Sequence, residues 1–131
     1  MIFQDYDLHD LVVYDIVRDE KTLKIFVCCD NPGVNTRYII HIDGVDFDCR
    51  FYCLKRFPRF HNVRYSGKEK KENWITKMFK KGKRLNINDV CICQYSKKAV
   101  FDCTVLPYAK ARGVDYQVYL EFSEYDNIYV T

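Results

Sequence analysis

Glycine is scarce in this chain: the 5 glycines among 131 residues are scattered through turns, so no glycine-rich loop exists to cradle a phosphate. Long apolar runs are missing too, and nothing approaches the roughly 20 consecutive residues that cross a bilayer. Asp5, Asp7 and Asp10 interrupt the N-terminal stretch where a secretory leader needs a basic start and an apolar core. The expectation is a cytoplasmic chain with no membrane partner. Histidine is limited to His9, His41 and His61, none within a Cys/His or Ser/His signature. His9 and Asp10 make a poor base and orienter, because adjacent residues on a strand point to opposite faces. No enzyme is expected. Repeats, low-complexity tracts and linkers are also lacking, so residues 1–131 are expected to form a single domain.

Cysteine is plentiful at 7, but the number is odd and suits reduced thiols better than a disulfide framework. Cys49, Cys53, Cys91 and Cys93 offer four thiolates, but Cys91 and Cys93 are one residue apart and both pairs fall on expected strands, not in the turns of a zinc knuckle. Their alternation places them, with Cys103, on inward strand faces as small hydrophobes. No metal and no cofactor is therefore expected.

Alternating apolar residues dominate what remains. Val12, Tyr14 and Ile16 can face Leu23, Ile25 and Val27 across a loop at 18–21, pairing Ile16 with Leu23. Asp43-Gly44 is a two-residue turn chemistry, and it predicts a second hairpin pairing Ile42 with Val45, Ile40 with Phe47 and Tyr38 with Cys49. Cys91, Cys93 and Tyr95 can face Ala99, Phe101 and Cys103. Val114 to Phe122 alternate cleanly, and a short strand at 128–130 follows a polar turn. The fold class is α+β, a mostly antiparallel β-sheet of about seven strands in hairpins, with one basic amphipathic helix.

That helix lies in the most charged part of the chain. Residues 55–84 hold 12 Lys/Arg and 2 Glu within a chain of net charge +3, so the remainder is acidic. Ser66 and Glu69 have capping-box spacing, Gly82 supplies a stop, and Trp74, Ile75, Met78 and Phe79 form an apolar stripe. Lys70, Lys77, Lys80 and Lys81 share the opposite sector. With Trp74 and Arg84 they are the candidate partner-binding residues; Asp43, Asp46 and Asp48 are the acidic alternative, as are Glu121, Glu124 and Asp126. Positive charge interleaved with Phe57, Phe60, Tyr65 and Trp74 suits either nucleic acid or an acidic protein.

Leu8-His9-Asp10 leading into a hairpin with a charged turn, Gly44-Val45-Asp46-Phe47, and Tyr119-Leu120-Glu121-Phe122-Ser123 give a layout that resembles small immunity proteins of bacterial contact-dependent inhibition and other polymorphic toxin systems. The resemblance spans most of the chain. It implies a non-enzymatic protein that neutralises a cognate toxin, often a nuclease, by direct binding. The seven cysteines and the basic helix depart from that pattern. A small RNA- or DNA-binding module using the basic helix is the alternative.

Overall fold

The computed structural model describes residues 8–29, 36–44, 50–56, 68–70, 72–106 and 115–131. In chain order the elements are β1 (Leu11–Asp19), β2 (Thr22–Cys29), β3 (Arg37–Asp43), β4 (Arg50–Arg56), β5 (Lys68–Lys70), α1 (Glu72–Lys80), β6 (Arg84–Cys93), β7 (Lys98–Leu106), β8 (Asp115–Ser123) and β9 (Asn127–Val130). The nine strands form one antiparallel sheet in the order β5-β4-β8-β7-β6-β1-β2-β3-β9. The α+β class and the one helix found among the described residues agree with the sequence pattern. The strand count exceeds seven in part because the short β5 occupies residues expected to be helical.

The β1–β2 hairpin forms with a different register from the expected one. Asp19 pairs with Thr22, so the turn has two residues rather than four, and Ile16 faces Ile25. Glu20 takes φ 53° to close it. A bulge between Val13 and Asp15 adds one residue to β1. It changes the phase of the strand, so Val13 and Ile16 are both buried although strict alternation would oppose them. Tyr14 turns outward against Phe26, ring centroids 6.0 Å apart.

The second expected hairpin is absent as drawn. β3 pairs with β2, Ile25 facing Ile40 and Leu23 facing Ile42, and on its other side with β9. β4 pairs with β5 and β8, far along the sheet from β3. Val45, Phe47 and Cys49, the expected partners, lie outside the described residues. Gly44 does adopt the left-handed conformation, φ 73°. Its need for glycine has another source: a Cβ there would collide with the Asp126 carboxylate. A tight, glycine-requiring turn is therefore compatible with more than one strand partner.

The sheet also curls. β8 and β9 are joined by residues 124–126, a link that reaches at most about 14 Å. Six strand spacings separate the two in the sheet order, about 29 Å if it were flat. The chain can join them only by bending the sheet back on itself, so that β8 and β9 act as two legs of one bent strand. Backbone bonds stitch the meeting point: Asp126 N–H donates to Asp43 O at 2.8 Å, Glu124 N–H to Lys97 O at 2.9 Å, and Gly44 N–H to Lys21 O at 2.9 Å. Tyr125, in the middle of the link, is buried.

The concave side encloses the core. Leu23, Ile25, Ile40, Ile42, Leu85 and Ile87 meet Phe101, Val118, Leu120 and Phe122 there, all sealed from solvent. Phe101 and Phe122 make an edge-to-face pair at 5.8 Å. From α1, Ile75, Met78 and Phe79 join the same cluster, with Trp74 packed partly against it.

Candidate partner-binding surface

α1 starts later than the capping-box spacing implies. Ser66 lies outside the described residues, and Glu69 sits in β5, where Lys68, Glu69 and Lys70 pair with Cys53, Tyr52 and Phe51 of β4. Backbone bonding to a sheet edge takes those residues before the helix begins at Glu72. Lys70 is therefore a strand residue and shares no helical sector with Lys77, Lys80 and Lys81. It still reaches the helix, its Nζ standing 5.8 Å from the centre of the Trp74 ring, within cation–π range.

The first turn of α1 is tied to the β1–β2 hairpin. Arg18 Nε donates to Glu72 Oε1 and Oε2 at 3.1 and 3.2 Å, in a partly buried setting. Glu72 also complements the positive end of the helix dipole. The last turn closes on Gly82 (φ 83°): Gly82 N–H donates to Phe79 O and Lys83 N–H to Met78 O, a Schellman arrangement. Arg84 Nη1 donates to Phe79 O at 3.3 Å and Lys83 O at 2.8 Å, so this candidate contact residue also serves as a helix cap.

Beyond those bonds Lys77, Lys80, Lys81 and Lys83 are exposed around the helix end. Their charge complements the negative end of the dipole, and the stop at Gly82 keeps them together. Three elements thus position one compact cationic surface: α1, the turn after it and the start of β6. Trp74 lies half-buried at its margin.

Of the acidic alternative, Asp43 and Asp126 meet where the end of β3 joins the β8–β9 link, Asp126 N–H donating to Asp43 O. Asp43 is half-buried at the end of β3, its Oδ1 accepting from Thr22 Oγ1 at 3.0 Å. Glu121 pairs with Lys98 at 2.8 Å. Glu124 and Asp126 are exposed in the β8–β9 link. Asp46 and Asp48 lie outside the described residues, as do Phe57, Phe60 and Tyr65.

The histidines divide. His9 and Asp10 do touch, Nδ1 to Oδ2 at 2.9 Å, because they precede β1 in a turn with Asp10 at φ 63°. Strand geometry, which would separate them, does not apply there. Both are largely exposed, so the pair is solvated. His41 is a sheet-surface residue, stacked on Tyr129 at 4.6 Å and 2.8 Å from Thr131 Oγ1. Burial, with Lys24 beside it, lowers its pKa.

The cysteines depart furthest from expectation. Cys103 is fully buried, and burial pushes its thiol well up. Cys91 and Cys93 are exposed instead of inward. A bulge between Ile87 and Asp89 changes the phase of β6, so Val90 and Ile92 pair with Phe101 and Ala99 on the core side. The Ser96 side chain and backbone, then the Tyr95 backbone, hydrogen-bond the Cys93 thiol and lower its pKa. Cys53 stands on β4, three strands from β6, or about 14 Å. Cys49 is outside the described residues. No group of three or more His, Cys, Asp and Glu side chains among the described residues is placed to hold a metal ion.

No family model, curated protein or solved structure matches this chain. Among the described residues no helix is long and apolar enough to cross a membrane. Sequence reasoning missed Arg18, whose partner Glu72 is 54 positions away with no local signal to join them. It also missed the outward turn of Cys91 and Cys93, which follows from the bulge in β6.

Proposed function

We propose that this protein acts by binding, holding an acidic protein partner on the lysine-bearing end of α1, and that the partner is a toxin it neutralises by occlusion. The single observation that carries the binding surface is the clustering of Lys77, Lys80, Lys81 and Lys83 in solvent around a capped helix end. A charged surface of this kind steers an oppositely charged partner and orients its approach. The assignment of that partner as a toxin rests on the immunity-protein resemblance of the sequence.

One contact favours a protein over a nucleic acid. Base stacking needs an open aromatic face. Trp74 is half-buried and carries Lys70 near its ring, which suits an interface anchor better than a stacking platform.

Co-expression with the product of the neighbouring reading frame tests the proposal. The expected outcome is restored growth and a stable complex on size exclusion, with association slowed by Lys77→Glu/Lys80→Glu most strongly at low salt. Absence of both rescue and complex refutes the toxin assignment. A complex whose kinetics ignore the charge reversal refutes the surface. Salt-sensitive, sequence-selective binding to RNA or DNA instead establishes the alternative.

A further inference from the structure

We infer that Cys91 and Cys93 form a two-thiolate site for a soft, linearly coordinating cation of the Cu(I) class. The inference stands on the register of β6 and is independent of the proposed partner. Both thiols are exposed, and residues two apart on a strand lie on the same face. The bulge before Asp89 is what turns that face outward, since the inward positions are then taken by Val90 and Ile92.

Spacing decides what the pair can hold. Cβ atoms two residues apart on a strand are separated by about 6.7 Å. A disulfide needs roughly 3.5–4.5 Å between them, so the two thiols do not close on each other without distorting β6. Rotation of each side chain about Cα–Cβ lets the two sulfurs approach more closely than the Cβ atoms do. A linear thiolate–metal–thiolate bridge with bonds near the roughly 2.3 Å of a zinc–thiolate bond spans about 4.6 Å, less than the Cβ separation. Tetrahedral zinc requires more ligands, and the described residues offer no group of three around the pair. Cu(I) is among the soft ions that thiolate donors favour, and a pair of thiolates suits it where four-coordinate zinc would need further ligands.

The surroundings suit the product. Binding Cu(I) releases both thiol protons and leaves a complex of net charge −1. Lys98 stands directly across the ladder from Cys93, paired with Glu121, and Lys97 is exposed in the same turn.

The test is anaerobic titration of the reduced full chain with Cu(I) in competition with bicinchoninate, with X-ray absorption on the loaded protein. One tightly held Cu(I) per chain with two sulfur neighbours is expected. Cys91→Ser and Cys93→Ser should each weaken it by more than the roughly 10–100-fold that outer-shell changes cost. Because both positions are exposed, the variants should keep the parent's circular dichroism. Cys28→Ser/Cys29→Ser, on β2, should leave the affinity unchanged. Parent-like affinity in Cys91→Ser/Cys93→Ser, or a spectrum with three or four sulfur neighbours, overturns the inference.

Discussion

Phe101, Leu120 and Phe122 sit on the concave side of the curled sheet with no solvent contact, whereas Lys77, Lys80 and Lys81 surround the end of α1 in water. The first region is held by many apolar neighbours that exclude one another from solvent. The second is held by a few backbone bonds at Gly82 and by the buried side of the helix. The residues that hold the fold and those that carry its exposed positive charge are therefore separable here. A core residue touches everything around it, so removing one leaves a hole that its neighbours only partly fill. A lysine at the helix end touches water, so its charge is free to change without disturbing the fold.

The largest effect tests the first region. Phe101→Ala should cost about 3–5 kcal/mol of unfolding free energy, read from the midpoint and slope of urea denaturation. A loss under about 1 kcal/mol would mean the curled sheet is packed far more loosely than its burial indicates. Next comes the stitching of the two legs. Gly44→Ala must place a side chain at positive φ and displace Asp126, and should cost about 1–3 kcal/mol. Repeating it in an Asp126→Ala background should recover part of that loss, because the clash with the carboxylate is gone while the Asp126 Cβ contact and the strain remain.

Smaller still is the tie between hairpin and helix. Arg18→Ala should cost about 1 kcal/mol or less, since the pair with Glu72 is partly exposed and screened. A double-mutant cycle with Glu72→Ala should return a favourable coupling; a coupling of zero would leave α1 held by its apolar face alone. Least of all, Lys77→Glu/Lys80→Glu should change stability by about 0.5–1 kcal/mol through the helix dipole, measured by the same denaturation. A large loss would show that these lysines belong to the folding machinery and would merge the two regions.

How far the sequence could be read depended on whether a feature is local. The alternation of Val118, Leu120 and Phe122 is intrinsic to one strand, and all three are buried together. The stop at Gly82 follows from the chemistry of one residue and its neighbours. The β1–β2 hairpin was legible as a hairpin, but its register depended on a bulge that alternation does not mark. Of the candidate contact residues, Lys77, Lys80 and Lys81 are exposed as expected, Lys70 belongs to β5, and Arg84 is engaged as a cap. Lys70 was misplaced because a three-residue edge strand can pair with β4 at a cost in helix length that no propensity records.

By itself the sequence determined that this is an antiparallel sheet protein with one basic amphipathic helix, because residue type and periodicity act over a few positions. Which strands lie side by side was decided only by the tertiary structure. Ile40 and Ile42 required an apolar partner, and Leu23 and Ile25 satisfied that requirement as well as a hairpin at Gly44 would have. The separation of β3 from β4, the joining of β8 to β9 across a curled sheet, and the outward face of Cys91 and Cys93 all follow from such long-range choices. Hydrophobic burial is non-directional, so it demands that an apolar face be covered and leaves the identity of the cover to the packing of the whole chain.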